Sequence, residues 1–431
     1  VVTNVYDVTQ GRQGAGAVNV ATQFGTNERR GSLFAYNRGR WGGTEDFQRR
    51  LNNANIWQFG GSMGGALVRD RLHYFVAYDR QQTDEPFQTM DIRNEFDERQ
   101  FGIARDSVRR FVDILQRQYG LSSDRQTGQF DRANTLNSVF ARLDWAVAEN
   151  HRLTVRHQFS NWAYDNALTD RFLAVRESFG NQQSRENQLL ATLKSNLGRR
   201  TTNDLRLAFT DRLLQNVANT RLPRGWVNVA SDIRNAEGQP VRTAQQILQF
   251  GGMRTSPELQ SERSYQLVNI TRIQGERSAL TFGTDNSLNQ LSMFVSIETD
   301  GLFQFASLGD LEARRPSSFA RLVPQQELEP RMWQWVADAS AFAQVEHQFT
   351  PTLTATAGLR GDVTAFLTAA NRNERVEQRF GRRTDVRPTN FNLQPRAQVT
   401  WDVGGRGSDI LRAGGGLFTA QPHYMLQINH L

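Results

Sequence analysis

From residue 152 to 160 the sequence RLTVRHQFS places Leu153, Val155, His157 and Phe159 on one face and Thr154, Arg156, Gln158 and Ser160 on the other. That is the period of two expected of a strand with unlike faces. Just upstream, Val139, Ala141, Leu143, Trp145 and Val147 share a face opposite Phe140, Arg142 and Asp144, and the polar link Ala148-Glu149-Asn150-His151 joins the two runs, which predicts a hairpin. The unit recurs in Leu189 to Leu197, which turns through GRRTT into Leu205, Leu207 and Phe209, and again where Leu353, Ala355, Ala357 and Leu359 alternate with Thr354, Thr356 and Arg360.

Runs of this kind predict about fifteen strands, centred near residues 35, 62, 77, 142, 157, 192, 208, 248, 269, 284, 303, 341, 357, 397 and 415. Their connections alternate in length. Short turns at Arg69-Asp70-Arg71, 148–151, 198–202, 275–278 and 404–409 are interleaved with long polar stretches at 84–133, 163–186, 214–244 and 364–390. One helix is predicted, over Ile103 to Tyr119. There Val108, Phe111, Val112, Leu115 and Tyr119 recur at three- and four-residue spacing and Gly120 supplies a stop. It falls inside the longest loop, where it is expected to pack that loop down over whatever lies beneath.

Alternation alone suits a soluble sandwich, with one face in the core and one in water, as well as it suits a membrane barrel, with one face in lipid and one lining a wet lumen. Strand number, the asymmetry of the connections and aromatics at strand ends favour a transmembrane antiparallel β-barrel. Trp57, Tyr74, Trp145, Trp162, Trp333, Trp335 and Trp401 are the candidates for its interfacial girdles. No window approaches the roughly 18 consecutive apolar residues of a membrane helix, a test that barrel strands escape because they meet lipid only at every second residue.

The 431 residues carry 51 Lys and Arg against 44 Asp and Glu, and Lys194 is the single lysine. The arginines are spread along the chain and not gathered into a stripe, which argues against a nucleic-acid surface. Arg142, Arg156, Arg206, Arg212, Arg360 and Arg396 sit on the polar faces of strands and would line a lumen, either as a positive interior suited to anionic ligands or as a network with carboxylates that stiffens the wall. With no cysteine there is neither a disulfide framework nor a thiolate metal site. The six histidines, 73, 151, 157, 347, 423 and 430, are dispersed, without zinc-site spacing. The acidic run Asp84, Glu85, Asp91, Glu95, Asp97 and Glu98 lacks EF-hand spacing and reads as a solvated loop. The glycine run 60–65 is not followed by the Lys of a phosphate loop and suits close backbone approach instead. No catalytic signature, metal set or cofactor motif emerges, so an enzyme is not expected.

The opening VTNVYDVTQGRQGAGAVNVATQFGTNERRGSLFAYNR followed by QFGGSMGGALVRDRLHYFVAYDR, and later RLDWAVAENHRLTVRHQFS, ALTFGTDNSL, GLFQFASLGDL, LTATAGLRGDV and LQPRAQVTWDVGGRGSDILRAGGGLF, resemble in order and spacing the plug-to-barrel junction and wall of the TonB-dependent outer-membrane receptors, most of all their Oar-type branch. Ala66 departs from the Gly-Gly-Pro that is common in the family at that turn. The resemblance implies that residues 1–27 close a plug and 28–431 begin a barrel of 22 strands. Since an open sheet edge is forbidden in hydrocarbon, the chain is expected to be a piece of a longer protein. It also implies import of a scarce or large solute across the outer membrane, with outer-membrane lipid and the TonB energy-transducing complex as partners and no nucleic acid. Adhesion or protein export by a barrel of the same descent is the alternative, and a soluble β-rich carbohydrate-binding protein the third.

Overall fold

The computed structural model describes residues 6–12, 21–40, 45, 53–171, 173–235, 237–323, 331–421 and 424, and the backbone of 2–3 and 16–17. Two short strands, β1 (Val2–Thr3) and β2 (Gly16–Ala17), pair with each other. The wall is a 13-stranded antiparallel sheet. In chain order its strands are β3 (Arg30–Arg38), β4 (Asn55–Val68), β5 (Leu72–Thr89), β6 (Gly128–Ala148), β7 (His151–Leu168), β8 (Gly180–Asn196), β9 (Thr201–Ala218), β12 (Thr255–Gln274), β13 (Ser278–Ile297), β16 (Arg331–Thr350), β17 (Leu353–Phe366), β18 (Thr389–Asp402) and β19 (Ile410–Gly416). Each pairs with the neighbour next in this order, an up-and-down meander from β3 to β19.

Every short turn of the sequence lies on one rim and every long connection on the other. The wall strands are longer than the alternation alone outlines. β5 runs on to Thr89 and β6 starts at Gly128, so Asp84 and Glu85 stand on a strand and not in a solvated loop.

Two of the expected strands, near 248 and 303, leave the wall. They are β11 (Pro240–Phe250) and β14 (Leu302–Phe305), which join β10 (Arg224–Arg234) and β15 (Ser318–Ala320) in a separate sheet of order β11-β10-β14-β15. β10 lies in the stretch expected to be a polar loop. Its apolar face is interrupted by the buried Ser231 between Val229 and Ile233, while Asn228, Ala230 and Asp232 lie on the open face.

Against this sheet pack α1 (Glu95–Phe101), α2 (Arg105–Gln118) and α3 (Leu308–Glu312). Ile103, Phe111, Ile114, Leu115, Leu248 and Leu311 are fully buried in the shared core. Four long connections thus fold into one cap, since Leu173 and Val175 of the β7–β8 connection are buried in the same core, and the amphipathic stripe of the expected helix is its packing face. Arg224 ties the cap to the wall loops, with its guanidinium against Asp170 and Glu298 and over the ring of Trp226. Burial holds that guanidinium below its ordinary value. The fourth helix, α4 (Glu374–Phe380), stands in the loop between β17 and β18, with Asn373 accepting from Val376 N–H as its cap.

Candidate functional site

Directly opposed residues of an antiparallel ladder share a face, so the register sorts the wall into two surfaces. On the outer one, Leu143, Leu189, Leu207, Phe282, Val345, Leu359 and Val399 are exposed. On the inner one, along β16, Gln334, Val336, Asp338, Ser340 and Phe342 are buried. Tyr424 packs on Val336 and donates to Asp338, and further along the strand the N-terminal segment covers the inner face. Residues 6–12 lie on the inner faces of β13, β16, β17 and β18, and residues 22–27 on those of β4, β5 and β6.

Arg360, fully buried, is the centre of the first contact. Its Nε donates to Asp362 at 2.8 Å, Nη2 donates to Ser340 Oγ at 2.8 Å and approaches Asp285 at 3.5 Å, and Nη1 donates to the Val8 carbonyl at 3.2 Å. Arg396 donates from Nη1 to the carbonyls of Asp7 at 2.8 Å and Gln10 at 2.6 Å, and from Nη2 to Gln394. In return Val8 N–H donates to Gln344, and Arg12 reaches Ser340 and the Asp285 carbonyl. Orphaned carbonyls of a segment with no ladder partners are thereby satisfied by charged donors, which form the stronger class of hydrogen bond.

Arg142 repeats the device on the same inner face, several strands away on β6. It forks onto Asp144 at 2.7 and 2.8 Å and donates Nη1 to the Thr22 carbonyl and hydroxyl at 3.0 and 2.8 Å. Beside it Gly25 abuts the wall so closely that a Cβ there would lie 2.1 Å from the Tyr74 carbonyl oxygen. Gly64 and Gly65, in the glycine run, take up the same approach from the wall side.

The remaining arginines on the inner face differ. Arg206 forks onto Asp204. Arg212 is exposed, between Glu186 and Glu262 in register. Arg156 lies directly opposite Arg142 and, among the described residues, has no ion-pair partner. The structure therefore brings Arg142, Arg360 and Arg396 onto the N-terminal segment and leaves Arg156, Arg206 and Arg212 along the wall. The carbonyl-capturing role was not legible from the sequence, because its partners are backbone atoms about 120 to 390 positions away.

Of the aromatic candidates, Tyr74, Trp145 and Trp401 are on the outer face towards the short-turn rim, and Trp57, Trp333 and Trp335 on that face towards the long-loop rim. Trp162 is on the inner face, in the row of Arg156, with its indole N–H donating to Asn134 at 2.7 Å. A two-residue alternation carries it there, so it cannot belong to an outward belt.

The acidic run does not form a cation site. Asp91 pairs with Arg93, Asp97 accepts from Arg93 N–H, and Glu85 pairs with Arg132. Among the described residues no group of three His, Cys, Asp or Glu side chains converges, and no helix is long and apolar enough to cross a membrane. His423 and His430 lie outside the described residues.

A cavity of about 480 Å³ opens between Arg12, the inner face of β16–β18 at the long-loop end, and the loop 367–388. Asp362, Thr364, Asn390 and Asn392 line it in facing register, Thr364 opposite Asn390 and Asp362 opposite Asn392.

Comparison with known proteins agrees with this wall. No protein of curated function matches the sequence. The fold is similar to the outer-membrane transporter YddB of Escherichia coli (TM-score 0.53, 9% identity, 85% of this chain and 39% of that one). It is also similar to a mutant of the ferric enterobactin receptor PfeA of Pseudomonas aeruginosa (TM-score 0.51, 12% identity, 93% of this chain and 45% of that one). A third similar structure is the siderophore receptor PirA of Acinetobacter baumannii (TM-score 0.50, 14% identity, 95% and 45%). The chain spans less than half the length of each of these three. The family model "Outer membrane beta barrel domain" matches residues 117–430. The lipid-facing apolar surface, the inner polar surface and the two unlike rims are thus those of a member of the outer-membrane β-barrel domain family, resident in the outer membrane of a Gram-negative bacterium.

Proposed function

We propose that this chain is part of a TonB-dependent receptor of the Oar-type branch that captures a scarce or large solute at the cell surface and imports it. Residues 1–27 are the end of its plug and 28–431 belong to its barrel. The observation that carries the reading is the capture of Val8, Asp7 and Gln10 carbonyls by Arg360 and Arg396. A segment held to the inner wall by a few side-chain donors and, among the described residues, by no ladder separates from it without unzipping a sheet. An energy-driven plug needs that property. Outer-face Tyr74, Trp145 and Trp401 at the periplasmic end, and Trp57, Trp333 and Trp335 at the extracellular end, form the two interfacial girdles.

The reading is tested by binding of the purified periplasmic domain of TonB to the whole protein in detergent. Saturable binding that is lost on deleting the segment before the plug is the expected result. A whole protein that binds no TonB and confers only cell adhesion overturns it.

A further inference from the structure

We propose that the cavity beneath the loop 367–388 takes an uncharged, hydroxyl-rich solute of the oligosaccharide class, with Gln334 as an acceptor that orients it; the assignment rests on the import reading. The cavity's 480 Å³ lies within the roughly 300–1,000 Å³ of small-molecule sites.

The charges at its edge are already neutralised. Asp362 accepts from Arg360 and Gln394, and Arg12 donates to Ser340 and the Asp285 carbonyl with Asp338 at 3.9 Å. Among the described lining residues no free cation is left to select an anion, and no convergent carboxylate or imidazole set is present among the described residues to hold a metal.

What remains is a lining of short neutral hydrogen-bonding groups. Gln334 is 2% exposed and spends its amide N–H on the Trp335 carbonyl at 3.2 Å, while its Oε1 is buried with no donor. A buried acceptor left empty carries the full cost of its desolvation, a cost a ligand hydroxyl removes. Asn392 and Asn390 face the same space with amides that bond to no other described residue, and Thr364 adds a hydroxyl. Amides and hydroxyls both donate and accept, which is the pairing capacity of a sugar hydroxyl and not of a carboxylate or a phosphate. Phe366 and Val386 complete the lining with apolar surface for the C–H faces of a pyranose ring.

The test is titration calorimetry of the whole protein in detergent against the uncharged hexasaccharides of the malto-, cello-, xylo- and chito-series. At least one is expected to bind saturably, and Asn392→Leu and Gln334→Leu are each expected to weaken it about tenfold, with heat-modifiable migration confirming that both variants fold. Asn392 is only half-buried, so its variant keeps the test valid where Gln334→Leu fails to fold. No binding by any of the four, or binding that both variants leave unchanged, overturns the assignment. So does saturable binding of ferric citrate or of an acidic hexapeptide at this cavity, a result that leaves the import reading standing. Loss of TonB binding, by contrast, strikes that reading while the sugar titration is unaffected.

Discussion

Arg360 donates from Nη1 to the carbonyl oxygen of Val8 at 3.2 Å, a hydrogen bond between residues 352 positions apart in the chain. The guanidinium is fully buried and is shared with Asp362, Ser340 and Asp285. Replacing it by alanine leaves the buried Asp362 carboxylate without its cation, with Gln394 as its remaining donor, and the Val8 carbonyl without the Arg360 donor, a loss of about 3–5 kcal/mol. Arg360→Ala is therefore expected to lower the temperature of heat-modifiable unfolding and to raise leak conductance in planar bilayers. Arg212→Ala, exposed on the same face, is expected to change neither. Equal behaviour of the two variants would show that Arg360 does not hold the segment.

Gly25 gives a second view of the same contact. A Cβ there would sit 2.1 Å from the Tyr74 carbonyl oxygen and 2.8 Å from that of Gly65. Both obstacles are backbone, so the clash cannot be relieved by a rotamer change. Gly25→Ala is expected to cost about 1–3 kcal/mol and to expose residues 21–27 to limited proteolysis. An unchanged digestion pattern would refute the close approach.

The two faces of the wall predict opposite tolerance to charge. Leu143, on the outer face, is 43% exposed and meets hydrocarbon. Leu143→Arg is expected to destabilise the inserted barrel by about 2–4 kcal/mol. Ser138→Arg, on the inner face of the same strand, is expected to cost little. Urea titration of folding into lipid vesicles measures both, and equal costs would contradict the assignment of faces.

The cap should fail separately from the wall. Phe111 is fully buried between α2 and the sheet of β10 and β11 and stacks edge-on against Phe250. Phe111→Ala is expected to cost about 3–5 kcal/mol locally. Proteolysis between residues 95 and 121 then appears while heat-modifiable migration persists. Loss of both together would mean that cap and wall fold as one unit.

The contact between α2 and α3 carries a pH dependence. Arg110, at 2.8 Å, holds the Glu312 carboxyl below its ordinary value of 4.5, with Arg117 adding to the effect. A carboxyl whose folded pKa is depressed contributes stability above its unfolded value and loses it as pH falls through the folded one. Amide hydrogen exchange in α3 is thus expected to be insensitive to this pair from neutral pH down to about 4.5 and to rise below it. In Glu312→Gln that rise should disappear, and a rise of the same size in the variant would exclude the pair as its cause.

Much of the wall was legible in the sequence because a strand between lipid and lumen writes its environment into every second residue. Leu143 against Arg142 and Leu359 against Arg360 show it, and the short turns on one rim followed from the spacing alone. The same signal misled where its physical cause differed. Near 248 and 303 the alternation is real, but the apolar face is buried by helices in the cap and not by lipid. Trp162 has the composition of a girdle residue and the wrong parity.

The local pattern of hydrophobic and polar positions, then, determined that the chain builds a large antiparallel barrel wall with the helix α2 in its longest loop, while α1 in that same loop, α3 and α4 went unforeseen. A period-two pattern is set by nearest neighbours and survives without knowledge of the fold. Only the tertiary structure decided that four long loops share one core, that Arg360, Arg396 and Arg142 spend their donors on backbone carbonyls of residues 7–22, and that Gln334 faces a cavity with an unfilled acceptor. Those relationships join atoms far apart in sequence, through backbone groups that every residue possesses, and no residue type announces them in advance.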